Sequence, residues 1–280
     1  MKKEGKFNQI CKDIQSLKIQ GAENIARQAL EALLIKSDKV SVNKLVSLRP
    51  TEPALRNTIK YALTFETIEE GIKETLDLMN KARKKIIQIG AKKIQSGTTI
   101  FTHCHSSTVV DILIAAKKQG KRFKVFNTET RPTFQGRITA RDLARNKIPV
   151  TMFIDSSADV ALKKADIFLF GSDAITSEGN VINKIGNKMF CELANKYGIP
   201  CYTCTFSWKF DPKTLLGNIE KLESRNPKEV WDKPPKGVKI SNIVFEEIEA
   251  NLISGVISEL GILNTETFVS EVKKKYPFLF

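Results

Sequence analysis

Apolar side chains recur at steps of three and four through the first third of the chain. Phe7, Ile10, Ile14 and Leu17 form one stripe, and Ile25, Ala29, Leu30, Leu33 and Leu34 form a second. This spacing predicts two helices within 7–36, joined at Ile19-Gln20-Gly21-Ala22. A shorter helix is predicted near 40–47. Leu48-Arg49-Pro50 ends it, because the residue before a proline disfavours the helical region. A further helix is expected over 53–63. A long one is expected over 66–96, carried by Ile68, Ile72, Leu76, Met79, Ile86, Ile87 and Ile94. No strand pattern occurs before Ser96.

At Ser96-Gly97 the pattern changes to short β-branched runs that alternate with helical ones. Strands are predicted over 98–103, 122–128, 149–154, 167–170 and 200–206, with helices over 107–118, 139–146, 157–164 and 183–197. Such alternation implies βαβ units and a parallel sheet covered on both faces. The expected fold class is α/β, with a helical domain over 1–96 and a mostly parallel sheet domain over 97–280. Residues 226–240 read as a polar, Pro-rich surface connection, and 241–280 as an edge strand and a final helix. No repeat of fixed period is present.

Ligands of open parallel sheets bind beyond the carboxyl ends of the strands. In this chain those ends carry Cys104-His105-Ser106-Ser107, Glu129-Thr130-Arg131, Asp155-Ser156-Ser157, Gly171-Ser172-Asp173 and Thr205–Lys209. Four of these five sets are rich in polar side chains, Gly and small hydroxyls. Each is expected to turn into a helix whose free N–H groups favour anions. Arg131 and Lys209 add cations, so the crevice reads as one built for phosphate.

Composition narrows the picture. With 41% hydrophobic and 27% charged residues, a wholly disordered chain is excluded. No run of about 18 apolar residues occurs, so no membrane partner is expected. MKKEGKFNQI lacks the apolar core of a signal peptide. Five cysteines without framework spacing point to a reducing, cytoplasmic setting. The net charge of +14 suggests an anionic partner, either nucleic acid or a phosphorylated metabolite, although a solvated Lys-rich helix face explains much of it as well. Neither GxxxxGK[ST] nor GxGxxG is present, and no aromatic-rich RNA-recognition motif is visible.

Cys104 ends the first strand directly before a helix N-terminus, a position that favours thiolate; an inert core thiol is the other reading. His103 and His105 flank it, but a metal site made from this run is not expected, because alternation sets the histidines opposite the cysteine. Asp173 either caps a local turn or is a general acid raised by burial. Asn183-Lys184 is expected to open a helix after the Gly179-Asn180 turn. The Cys201-Tyr202-Thr203-Cys204 string lies inside a strand, where positions three apart face opposite ways, so neither redox nor zinc function is expected.

Five strings occur in order: Thr102-His103-Cys104-His105-Ser106, Thr128-Glu129-Thr130-Arg131-Pro132, Gly171-Ser172-Asp173-Ala174-Ile175, Asn183-Lys184-Ile185-Gly186 and Trp208-Lys209-Phe210-Asp211-Pro212. From about Lys18 to Gly261 the chain resembles the family that joins the regulatory subunits of translation initiation factor 2B with two sugar-phosphate isomerases. One acts on methylthioribose 1-phosphate, and the archaeal one on ribose 1,5-bisphosphate. The first string is most similar to the ribose-bisphosphate branch. The resemblance implies a helical domain followed by a Rossmann-like domain, and a catalytic pair at Cys104 and Asp173. It implies substrate contacts at Gln20-Gly21-Ala22-Glu23, Arg49, Ser106, Ser107, Thr108, Asn183, Lys184 and Lys209, with Arg131 a further cation of the crevice. Gln20 stands where the family usually has arginine, and Glu246-Glu247-Ile248 where the isomerases usually have Asp-Val-Thr-Pro. The implied activity is isomerisation of ribose 1,5-bisphosphate to ribulose 1,5-bisphosphate in AMP salvage. No metal or nucleotide cofactor and no nucleic acid is implied, and the implied assembly is homodimers that extend to hexamers. The alternative that the family offers is a non-catalytic regulatory subunit with a sugar-phosphate or nucleotide sensor site.

Overall fold

The computed structural model describes residues 2–16, 18–218 and 223–280. Five helices precede the first strand: α1 (Lys2–Gln15), α2 (Ala22–Ile35), α3 (Lys39–Ser47), α4 (Pro53–Ala62) and α5 (Ile68–Lys93). The two N-terminal stripes meet in one core, where Phe7, Ile10, Ile14, Ile25, Leu30 and Leu33 are buried together. Leu17, expected in the first stripe, lies outside the described residues. Asp38 caps α3 by accepting hydrogen bonds from the N–H groups of Val40 and Ser41, each at 3.1 Å. Thr67 caps α5 through the Glu70 N–H at 3.3 Å. The long α5 serves two cores. Ile72 and Met79 pack among the N-terminal helices, whereas Ile86 and Ala91 pack under the sheet with Ile100 and Val125.

The main sheet contains β1 (Thr99–Thr102), β2 (Lys124–Thr128), β3 (Val150–Phe153), β4 (Ile167–Phe170), β7 (Cys201–Cys204), β9 (Gly255–Ser258) and β10 (Gly261–Leu263). Its order is β10-β9-β7-β4-β1-β2-β3, and all neighbours are parallel except the β9–β10 hairpin. From β1 the chain proceeds to β2 and β3 on one side, then crosses back to β4 on the other. β1 and β4 therefore flank the topological switch point, where open α/β sheets hold their ligands. Helices α6 (Ser107–Lys118), α7 (Gly136–Arg145), α8 (Ala158–Leu162), α9 (Asn187–Lys196) and α10 (Thr265–Lys275) complete the fold. Cys201 and Cys204 enter different cores on opposite faces of β7, as the strand alternation requires.

One assignment needs correction. The helix expected over 183–197 begins only at Asn187. Before it, β5 (Ala174–Ile175), β6 (Val181–Lys184) and β8 (Phe245–Ile248) form a small antiparallel sheet. Gly179-Asn180 is thus a hairpin turn, with Gly179 at φ +82° and its N–H bonded to Thr176 O at 3.0 Å. Asn183 and Lys184 lie at the end of a buried strand, and Glu246-Glu247-Ile248 pair beside that strand. Among the described residues all five cysteines are free thiols, and no helix is long and apolar enough to cross a membrane.

Candidate active site

A cavity of about 450 Å³ opens between the N-terminal helices and the carboxyl ends of β1 and β4. Every site residue expected from the sequence lines it except Arg131. The Asp155 carboxylate binds the N–H groups of Thr130 and Arg131 at 2.8 and 2.7 Å and so fixes this loop. The Arg131 side chain then runs outward, over the Phe134 ring and to Val230 O at 3.3 Å. Its expected place in the phosphate crevice is therefore corrected.

Two of the helix N-termini at the cavity, those of α2 and α6, differ in their caps. Gly21, at φ +85°, starts α2 with no side-chain cap, which leaves the N–H groups of the first turn open to a ligand. Ser106 caps α6 through the Val109 N–H at 3.4 Å, with Ser107 and Thr108 in its first turn. Gly171, at the end of β4, lies so close that a Cβ there would meet Ser106 Oγ at 2.8 Å. The Gly171 carbonyl accepts hydrogen bonds from the Asn183 amide and from the Thr203 hydroxyl, the latter at 3.1 Å.

Cys104 sits just past β1 with φ +65°, a conformation that costs a non-glycine residue of order 1–3 kcal/mol. Local hydrogen bonds hold it there. Its N–H donates to Thr130 Oγ1 at 2.9 Å, its carbonyl accepts from the Thr139 hydroxyl at 2.8 Å, and its thiol donates to Gln135 Oε1 at 3.4 Å. The sequence favoured a thiolate, but burial pushes this thiol up to about 11, against the pull of Lys184 and the His105 N–H. The uncharged thiol is therefore the resting form at neutral pH.

His103 is wholly buried. Its Nε2 lies 3.0 Å from Ile185 O, Nδ1 faces the Thr128 hydroxyl, and burial lowers it to about 4. It is a neutral structural ring. His105 bonds Thr139 Oγ1 through Nδ1 at 3.1 Å. Among the described residues no group of three or more His, Cys, Asp or Glu could hold a metal ion.

Among the described residues six cationic side chains line the cavity, Arg27, Arg49, Arg83, Lys184, Lys209 and Arg225, against the four acids Glu23, Glu52, Asp173 and Glu223. Arg49 reaches Glu223 at 3.1 Å and Glu52 at 3.4 Å. Arg27 and Arg83 both bind Glu23, at 2.9 and 2.8 Å. Lys209 Nζ donates to Ser172 O beside Asp173. Burial raises the Asp173 carboxyl despite Lys209, Lys184 and Arg49. Burial also pushes Glu52 up to about 8, and the Asp173 charge adds to the rise. Asn57 ties α4 to the Lys209 turn through its side-chain amide, which donates to Trp208 O at 2.7 Å and Phe210 O at 2.9 Å. That bridge joins the helical side of the cavity, which carries Arg49, to the turn that carries Lys209.

Sequence reasoning missed Glu52 and Gln135. Glu52 lies three residues after Arg49, between two prolines at the start of α4, and that spacing was its only signal. Gln135 directly precedes the helix that follows β2, so the strand-end rule could have found it.

A cation-rich cleft at the switch point of a parallel sheet, with a cysteine at one strand end and an acid at the next, defines an α/β protein built to hold a small anion. The chain belongs to the Initiation factor 2 subunit family, whose profile matches residues 18–265. It is 36% identical over 273 residues to the ribose 1,5-bisphosphate isomerase of Methanocaldococcus jannaschii, covering 89% of each chain. To the ribose 1,5-bisphosphate isomerase of Pyrococcus furiosus it is 32% identical over 306 residues, covering 97% of this chain and 94% of the other. The crystal structure of the Pyrococcus horikoshii OT3 translation initiation factor eIF-2B superposes with a TM-score of 0.84 at 28% identity. That match covers 92% of this chain and 96% of the other.

Proposed function

We propose that the protein is an aldose–ketose isomerase that converts ribose 1,5-bisphosphate to ribulose 1,5-bisphosphate. The observation that carries this reading is the placement of Cys104 and Asp173 on one cation-lined cavity at the β1–β4 switch point. The names of the similar archaeal proteins support it. Two phosphates bring about four negative charges at most, given roughly −1.5 to −2 each near neutrality. Arg49 on the helical side, Lys184 and Lys209 on the sheet side, and the N-termini of α2 and α6 would hold them.

The reaction then balances with protons alone. Asp173 gives its proton to the ring oxygen as the bond from that oxygen to C1 breaks. Cys104, as thiolate, takes the C2 proton, and the C2–H electron pair forms the C1=C2 double bond of an enol. The thiol returns its proton to C1 while the C2 hydroxyl proton passes to Asp173. C2 is oxidised to a ketone, C1 is reduced, and both side chains are restored. Burial raises the Asp173 carboxyl and so favours its protonated form for the first step. Lys184 and the His105 N–H favour the thiolate for the second.

We further propose a homo-oligomer in the cytoplasm. Met152, Ile154 and Val160 are exposed along the β3 edge and the segment after it, which suits an interface between copies. A second reading, a regulatory subunit that senses a sugar phosphate, is favoured by Gln20 in place of the family arginine and by the likeness to eIF-2B. One experiment separates them: incubation of the purified protein with ribose 1,5-bisphosphate and chromatographic assay for ribulose 1,5-bisphosphate. An enzyme forms the product, and Cys104→Ser abolishes that formation. Binding without any product supports the sensor.

A further inference from the structure

Glu52 is the start residue of α4, yet its side chain makes no cap hydrogen bond with that helix. Pro50 and Pro53 bracket it, and the side chain lines the cavity instead. It is almost wholly buried, at 4% exposure. Oε1 lies 3.4 Å from Arg49 Nη2, while Oε2 is buried with no partner among the described residues. A buried polar oxygen without a partner is unfavourable unless a ligand supplies one. Arg49, expected to bind phosphate, also has a buried Nε without a partner among the described residues.

Glu52 is crowded by other carboxyls that draw on the same cations. Arg49 is on its own loop, Asp173 on the loop after β4, Lys209 on the turn after β7, and Glu223 beside Arg49. Glu52 thus shares Arg49 and Lys209 with two other carboxyls, while Lys184 lies beside Asp173. The arrangement is relieved if one carboxyl keeps its proton, and the most enclosed one keeps it most readily. Glu223, at 27% exposure, is better solvated than Glu52.

We propose that Glu52 is a proton-gated phosphate ligand. Protonated, its Oε2–H donates a hydrogen bond to an oxygen of the phosphate that Arg49 binds. Ionised, it claims Arg49 for itself and repels that phosphate. Phosphate binding then favours proton uptake at this end of the cavity, and burial places the free carboxyl near 8, where such a gate operates. The proposal rests on the phosphosugar reading above for its natural ligand, but its gate is testable with phosphate alone.

The test measures binding by calorimetry from pH 7 to 9.5, with the affinity of inorganic phosphate referred to its dianion at each pH and the sugar phosphates largely dianionic throughout. Two probes are used: inorganic phosphate with the wild-type chain, and ribose 1,5-bisphosphate with Cys104→Ser, which blocks turnover. Affinity should fall through pH 8, by up to tenfold per unit. Adding Glu52→Gln, which keeps a donor but cannot ionise, should flatten this decline and make the variant the tighter binder at pH 9.5. Glu52→Ala should weaken binding about fivefold at pH 7. An equal decline with pH in Glu52→Gln, or tighter binding of Glu52→Ala at pH 7, overturns the proposal, because Glu52 would then be a mere counter-ion of Arg49. Should the alanine variant lose its fold, judged by circular dichroism, the glutamine variant decides. A failed isomerase reading looks different: no ribulose 1,5-bisphosphate forms in wild type, while the phosphate titrations still report on the gate.

Discussion

Two buried acids set the catalytic cavity apart from the turn behind it. Glu259, at 3% exposure, is as enclosed as Glu52. Its carboxylate accepts hydrogen bonds from the Ser207 hydroxyl, from the Ser207 N–H at 3.3 Å and from the Tyr276 hydroxyl at 3.0 Å. Burial raises both carboxyls, but Glu259 has its partners within the chain and Glu52 has an oxygen without one among the described residues. The difference separates two uses of a buried charge. A fully bonded acid fixes a fold, here the turn that carries Lys209. A half-bonded acid facing a cavity is open to a ligand. Asp173 belongs with the second kind, because its carboxyl faces the cavity among Lys209, Lys184 and Arg49.

The widest break in that comparison is expected from Asp173→Asn. It should lower kcat by about 10²–10⁴, the usual worth of a general acid, while the thermal midpoint stays within a few degrees. The pH profile sharpens the test. Above the Asp173 titration the protonated acid declines as fast as the thiolate grows towards about 11, so wild-type kcat at saturating substrate should be nearly flat. The residual rate of Asp173→Asn should instead climb about tenfold per pH unit, because only the thiol still titrates. A flat profile in the variant removes Asp173 from the acid role.

Next in size, Arg49→Ala should raise KM by about 10- to 150-fold, since a charge-assisted contact is worth roughly 1.5–3 kcal/mol. Steady-state kinetics with the bisphosphate reads this directly, and an unchanged KM rejects a phosphate grip from the helical side. Glu259→Ala should act on stability instead. It strands two hydroxyls and an N–H, and unfolding in urea should show a loss of about 2–4 kcal/mol. A loss below about 0.5 kcal/mol would erase the contrast between the two acids. The smallest effect is expected from Arg131→Ala, whose side chain lies outside the cavity. Its KM should stay within about twofold of wild type, and a tenfold rise would restore it to the phosphate site.

Helices and parallel strands were legible because each obeys one local period. The stripe of Ile25, Leu30 and Leu33 and the run Ile167–Phe170 needed no distant partner to be recognised. The strand-end rule then pointed to Cys104 and Asp173, and the family strings paired them. Strand β6 was not legible. A turn at Gly179-Asn180 can precede a helix or close a hairpin, and Asn183 and Lys184 are weak strand formers. Their pairing partners, Glu246 and Phe245, lie some sixty residues further along. The state of the Cys104 thiol stayed open for another reason. Position before a helix argues for thiolate, but enclosure outweighs it, and enclosure depends on the whole fold. Arg131 was misplaced because a string of residues does not show which way a side chain leaves its loop.

Gly171 bears on how this chain can change over generations. Its missing Cβ is the space that Ser106 occupies, so any other amino acid at 171 would force the start of α6 away from the end of β4. Such a change touches neither the thiol nor the acid, yet it would shift the distance between them. Lineages that diversify this site are therefore free to exchange cavity-lining residues such as Gln20 or Glu52, while position 171 has an alphabet of one letter.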